Sequence, residues 1–114
     1  MDQNTLLQGL LAILELVKNR TDHYIGPVEP EHARNFLSAF SLAAGYALGW
    51  DEECRFEVRE YCAVNRGWKW RSAGPEHQMA AKGWPAEKIV TELIELECDY
   101  IRQMTKRSKQ NDIR

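Results

Sequence analysis

Apolar residues recur every three or four positions along most of the chain, and this spacing limits the fold more than any other feature. It is clearest near the C-terminus, where Ile89, Leu93 and Leu96 fall on one side of a helix. The predicted longer helices cover about residues 4–20, 30–48, 52–65 and 85 onward, and a short helix covers about 75–82. No stretch alternates β-branched and polar residues as a strand would. The sequence therefore predicts an all-α fold, a compact bundle of four longer helices plus one short helix.

Proline, glycine and aspartate mark the ends of these helices. Pro30, Pro75 and Pro85 each suit the first position of a helix, where no backbone N–H is needed. Gly49 suits a helix end, and Asp51 suits the N-cap of the helix that follows. The second helix carries many small residues that would let neighbours approach closely, so we expect it to be the central helix.

The length and composition of the chain fit one folded domain. It has 114 residues, of which 44% are hydrophobic and 28% are charged, and this is enough for a single core. No apolar run reaches the roughly 20 residues that span a bilayer, so we expect no membrane segment. The domain covers residues 1–114, with a basic tail over about 105–114 that we expect to fray because polar residues dominate it.

Three cysteines, Cys54, Cys62 and Cys98, favour a reducing compartment. Their number is odd, and the N-terminal apolar run lacks the basic start of a secretory signal. Cys54 and Cys62 would lie roughly 12 Å apart along one helix, which is too far for a disulfide. We therefore expect a cytoplasmic protein whose cysteines act as small buried apolar residues.

The sequence lacks the residue patterns that are typical of catalysis. Metal sites cluster Cys, His or carboxylates, but no CxxC, HxxxH or HExxH pattern occurs, and His23, His32 and His77 are far apart. Ser38 and Ser41 lie within an apolar helix rather than at a strand-to-helix turn. No glycine-rich loop is present to hold a phosphate. We therefore expect no catalytic residue, no metal and no cofactor.

The segment RGWKWRSAGPEH, residues 66–77, differs most from the rest of the chain. Trp and Arg are the residue types most enriched at interface hot spots, because they join a large contact area to a polar or cationic group. We expect this segment to be a loop that binds another protein, or a second copy of the chain in a homo-oligomer. The predicted partner-binding residues are Arg66, Trp68, Lys69, Trp70 and Arg71. The protein would then be a small regulatory, adaptor or inhibitor-type protein rather than an enzyme.

A structural interpretation of the same segment stays open. Trp68 and Trp70 are two residues apart, so in an extended chain both point to one side and could close the open end of the bundle. Arg66 and Arg71 would then pair with acids of the preceding helix. The acids considered for this pairing are Asp51, Glu57 and Glu60. The acids expected to face water on the last helix are Glu92, Glu95 and Asp99.

Binding of nucleic acid is the second functional interpretation. The rings of Trp68 and Trp70 could stack on bases while the neighbouring cations contact phosphates. Residues 78–92 also resemble a helix-turn-helix, with Gly83 in the turn and Ile89 as the inward anchor of the second helix. The second helix is rich in acids, however, and the net charge of the chain is −2, so phosphates would be repelled.

A small helical ribonuclease is the third functional interpretation. Arg71 and His77 form an R-x5-H pattern that resembles the R-x4–6-H signature of the HEPN ribonucleases, which are small helical bundles. The resemblance covers these two positions. It implies that the arginine and the histidine would serve RNA cleavage.

Overall fold

The structure, a computed structural model, describes residues 2–69 and 74–112, with side chains up to residue 107. The described residues form six helices and no strand, which confirms the predicted all-α bundle with four longer helices. The helices are α1 (Gln3–Asn19), α2 (Thr21–Tyr24), α3 (Pro30–Leu48), α4 (Glu52–Asn65), α5 (Glu76–Ala81) and α6 (Ala86–Asp112).

The single-turn helix α2 lies between α1 and α3, where the sequence predicts no helix. The Thr21 hydroxyl donates a hydrogen bond to the Val17 carbonyl (3.0 Å), so the chain stays close to the end of α1. Gly26, at a positive φ of 94°, then turns the chain towards α3. A helix of one turn is too short to show periodicity in a sequence, and for this reason it was not predicted.

The longer helices begin and end where their terminal residues predict. Asp2 and Asp51 cap α1 and α4, each accepting a hydrogen bond from the backbone N–H three residues later. Pro30 is the first residue of α3, and Gly49 ends that helix in the left-handed conformation with φ 66°. The prolines before α5 and α6 stand one position ahead of the first helical residue.

The central helix is α6, and the prediction that α3 would be central is wrong. α1, α3, α4 and α5 all pack against α6, whose residues Ile94, Cys98 and Ile101 are fully buried. α3 leaves Leu42 and Tyr46 exposed on its outer side. Small residues allow another helix to approach α3 closely. The number of helices that pack against a helix depends, however, on the width of its apolar face, and this face is wider on α6 than on α3.

The predicted apolar stripes supply most of the core, with one correction on α4. The sequence predicts Tyr61 in one apolar stripe of α4 with Cys54, Val58 and Cys62. In the structure Tyr61 is exposed, because Val58 and Cys62 face the core. All three cysteines are free thiols, and Cys54 is only partly buried. Burial raises the pKa of Cys98 to about 11.

The last helix is also the longest. It continues to Asp112 and so includes most of the segment for which the sequence predicts fraying. Near its end, Arg107 Nη1 lies 3.3 Å from Glu57 Oε2 on α4. Among the helices of the described ranges, none combines the length and the apolar character needed to span a bilayer.

Candidate functional site

The connection between α4 and α5 is folded back onto α6. Trp68 is only 4% exposed, and its Nε1 donates a hydrogen bond to Glu92 Oε2 (2.9 Å). Its ring meets the ring of Trp84 edge to face, with 5.1 Å between centroids. This burial agrees with the interpretation in which Trp68 closes the end of the bundle. Trp70 and Arg71, which belong to the predicted partner-binding set, lie outside the described residues.

Arg66 attaches the same connection to α6 through charge. Its Nε donates to Asp99 Oδ2 (2.6 Å) and its Nη1 to Glu92 Oε1 (2.8 Å). The hydrogen bond with Asp99 is the main cause that raises the pKa of Arg66. Two predictions are therefore wrong. Arg66 pairs with α6 instead of α4, and the acids Glu92, Glu95 and Asp99 of α6 are partly buried instead of simply solvated.

Lys69 is exposed, but its backbone is bound to α5. The Lys69 N–H donates to Gln78 Oε1 (2.9 Å), and Gln78 Nε2 donates to the Lys69 carbonyl (2.6 Å). α5, the following turn and the start of α6 have the order of the predicted helix-turn-helix, with Met79 and Ile89 buried between the helices. At Glu92, however, α6 is covered by the connection from α4, so this side of the helix is not free to enter a DNA groove.

A cavity of about 830 Å³ lies between α3 and α4. The two helices both pack on α6 but make little contact with each other, so a gap stays open above α6. We call it the α3–α4 groove: its rims include Leu42 and Phe56, and its apolar base includes Leu37, Leu93 and Leu96. Binding pockets of about 300–1,000 Å³ with a mostly apolar lining are typical of ligand sites.

A buried ion pair lies in the base of the α3–α4 groove. Glu97 of α6 is 3% exposed, and its Oε1 lies 3.0 Å from Arg59 Nη2 on α4. Arg59 also donates a hydrogen bond to Ser41 of α3 and lies 3.8 Å from the centre of the Tyr100 ring. Burial raises the pKa of Glu97, and the charge of Arg59 opposes this shift. The pair therefore joins three helices below the groove.

A second ion pair and a third arginine stand at the two ends of the groove. Near α5, Arg34 Nη1 lies 3.3 Å from the buried Glu76 Oε1. At the opposite end of α3, the Arg55 side chain packs over Gly45. No carboxylate among the described side chains forms a salt bridge with Arg55. The groove is therefore apolar at its rims and charged at its ends.

The chemistry available in the groove favours binding. Cys62 lines it, but burial raises the pKa of this thiol, so at neutral pH the sulfur keeps its proton. Within the described part of the chain, no three His, Cys, Asp or Glu side chains are grouped so that they could hold a metal ion. His77 is exposed and Arg71 lies outside the described ranges, so the HEPN-like pattern stays a prediction.

Sequence patterns do not reveal the groove, although part of the signal is present. Arg55 and Arg59 are four residues apart and so share one side of α4, next to Phe56. An aromatic residue and two arginines beside the core stripe indicate a surface that is neither core nor ordinary solvated helix. The pattern does not show which helix stands opposite, because that depends on how α3 and α4 pack on α6.

Replacing Trp68 by alanine should lower the free energy of unfolding by about 3–5 kcal/mol, the range for large aromatic residues in a core. The change removes a buried ring and the hydrogen bond to Glu92. Lys69→Ala is the matched control, since that side chain is exposed and its backbone bonds would remain, and we expect a change below about 0.5 kcal/mol. Denaturant unfolding measures both, and an unchanged midpoint for Trp68→Ala would show that the ring does not close the bundle.

Glu97→Gln should become more stable relative to the wild type as the pH rises. The raised pKa means that folded Glu97 retains its proton at pH values where the unfolded chain has lost it. The folded wild type therefore loses stability as the pH rises from about 4.3, the usual glutamate pKa, through the raised native value. Glutamine does not titrate and can still accept the Arg59 hydrogen bond.

The measurement is the free energy of unfolding of both proteins between pH 4 and pH 7, with the exposed Glu87→Gln on α6 as control. A difference between wild type and Glu97→Gln that stays constant over this range would contradict the prediction.

Comparison with known proteins adds no further constraint. No protein-family model matches the chain, and neither a curated protein nor a solved structure does so. The function must therefore be inferred from the side chains of this protein itself.

Proposed function

We propose that this is a small non-enzymatic protein that binds another protein through the α3–α4 groove. The main support is the exposure of apolar side chains on both rims: Leu42 of α3 is 66% exposed and Phe56 of α4 is 56% exposed. Tyr46, one turn after Leu42, is 90% exposed. Large apolar side chains grouped around a concave surface mark interaction sites in soluble proteins.

The shape of the groove supports docking of a partner helix. Both walls are helices and the base is a third helix, so an inserted helix would contact all three, as in helix-in-groove recognition. Leu37, Leu93 and Leu96 supply apolar surface below the rims. Docking would remove this surface, together with Leu42 and Phe56, from water.

The proposed surface differs from the loop that the sequence predicts. Of the predicted residues within the described ranges, Arg66 and Trp68 are engaged with α6, and Lys69 alone is exposed. We infer that the loop acts indirectly, because it attaches the end of α4 to α6 and so holds one wall of the groove.

We also propose a cytoplasmic, regulatory, adaptor or inhibitor-type role. The free thiols of Cys54, Cys62 and Cys98 support a reducing compartment.

A second copy of the chain is the alternative partner, because apolar rims of two copies could face each other across a two-fold axis.

Leu42→Glu combined with Phe56→Glu should abolish partner binding, because each change places a charge on an apolar rim. Tyr61→Glu combined with Val64→Glu is the matched control, since these exposed α4 residues do not line the groove. Proteins that co-purify from the native cells are quantified by mass spectrometry. We expect at least about a tenfold loss with the rim variant, which corresponds to about 1.4 kcal/mol, and no loss with the control.

Equal recovery of partners by the two variants would contradict the proposal, provided that both melt like the wild type. Sedimentation identifies self-association: a wild type that dimerises and a rim variant that stays monomeric would assign the groove to a second copy. If the wild type is monomeric at high concentration, the partner is a different protein and not a second copy of the chain.

A further inference from the structure

Among the described residues, one arginine of the α3–α4 groove has no partner of opposite charge. Arg34 pairs with Glu76, and Arg59 pairs with Glu97. Arg55 lines the same groove, but none of the carboxylates described in the structure lies within salt-bridge distance of its guanidinium group. The described lining therefore carries one positive charge in excess.

Arg55 is held in position by its contact with α3. A β-carbon at position 45 would lie only 2.8 Å from Arg55 Nη1. The Arg55 side chain can therefore extend from α4 onto α3 only because residue 45 is glycine. Arg55 Nε is buried and donates to no group in the described part of the chain. The side chain is therefore ordered by packing, with a hydrogen-bond donor left unused.

Tyr100 supplies a second unused donor in the same groove. This α6 residue is almost completely buried and lines the groove, and its hydroxyl makes no hydrogen bond of normal length among the described residues, although the Ser41 side chain lies close enough to lower its pKa. Burial raises the pKa of Tyr100, so the hydroxyl keeps its proton at neutral pH and can donate it. Buried donors in folded proteins are nearly always paired. Arg55 Nε and the Tyr100 hydroxyl are therefore two donors in the lining of one groove to which no acceptor of the described chain is bonded at normal length.

We propose that the partner segment is an amphipathic helix with an acidic side chain, and that its carboxylate binds between Arg55 and Tyr100. The inference rests on the proposed function, since it specifies what occupies the same groove. A carboxylate can accept hydrogen bonds from the guanidinium group and from the phenolic hydroxyl at the same time. Apolar side chains on the same face of the partner helix contact Leu42 and Phe56.

The length of the groove fits such a helix. The α3 wall runs from Arg34 to Leu42, which is about 12 Å at about 1.5 Å per residue. The apolar anchors of a partner helix at positions i and i+7 are roughly 10.5 Å apart along its axis. A partner helix with two apolar anchors and one acidic side chain near them therefore fits within the length of the α3 wall.

The charge of the groove favours a carboxylate over a phosphate. Glu76 pairs with Arg34, and Glu97 neutralises Arg59 once its carboxyl group has lost its proton. A phosphate group with two charges would meet one free arginine and two buried acids, whereas a single carboxylate balances Arg55. Aspartate or glutamate is therefore expected in the partner helix rather than a phosphorylated residue.

The test is a selection of helical peptides on the full chain, followed by a double-mutant cycle. A displayed library of amphipathic helical peptides is selected for binding to the wild type, and the binders should share an acid at a fixed distance from two apolar anchors. Changing that acid to its amide in the peptide should weaken binding to the wild type about tenfold, as expected for a charge-assisted hydrogen bond. The same change should have a much smaller effect on binding to Arg55→Met, because only the Tyr100 hydroxyl then remains to distinguish the acid from the amide.

Three further variants make the cycle specific. Arg102→Met removes an exposed arginine of α6 that does not line the groove, so it should behave as the wild type. Tyr100→Phe removes only the hydroxyl and should lose part of the preference for the acidic peptide. Arg55→Gln also removes the charge but keeps a polar side chain, and it replaces Arg55→Met in the cycle if that variant melts early.

Each contrary result has a distinct meaning. If no peptide is selected, or if Leu42→Glu with Phe56→Glu leaves the selected peptides bound, both the groove as a docking site and the inference fail. If the peptides bind in the groove without an acid, or if the amide change weakens binding equally for wild type and Arg55→Met, the inference alone fails. A selected peptide whose binding improves when the acid is replaced by phosphoserine also overturns it.

Discussion

Acidic side chains on a central helix require cations from the helices around it, and α6 meets this requirement with partners from different parts of the chain. The pairs are Glu95 with Lys18 of α1, Glu97 with Arg59 of α4, and Glu92 and Asp99 with Arg66 at the end of α4. Charges withdrawn from water are costly unless they are paired. The pair between Arg59 and the buried Glu97 therefore constrains where α4 lies along α6, the partly exposed pairs add to this, and apolar burial supplies most of the packing energy.

The open groove follows from the same pairs. Arg59 and Arg66 both direct α4 onto α6, while α3 reaches α6 through its own apolar residues. The contacts between α3 and α4 include the hydrogen bond between Arg59 and Ser41 and the packing of the Arg55 side chain over Gly45. Apolar residues on the outer parts of these two helices, such as Leu42 and Phe56, therefore have no neighbour to cover them and form the rims.

The helices and their ends could be predicted because their causes are local. Pro30, Gly49 and Asp51 act on backbone groups within a few residues, and the sequence shows those groups directly. The central position of α6 and the groove could not be predicted, because periodicity shows which side of a helix is apolar but not which helix it faces. Trp68 illustrates the limit: its hydrogen-bond acceptor, Glu92, is 24 residues away in sequence.

Arg55 and Arg66 lie near the two ends of α4. They show that the charges of neighbouring residues in the sequence do not predict which arginine stays without an ion-pair partner in the fold. Arg66 lies in a basic and aromatic segment, yet three carboxylates of α6 surround it. Arg55 lies among acids in the sequence, but Asp51 uses its carboxylate to cap α4, and the guanidinium group of Arg55 turns towards α3 over Gly45. Because packing and not sequence neighbourhood decides which charges are neutralised, the less noticeable arginine is the one whose charge remains available in the groove.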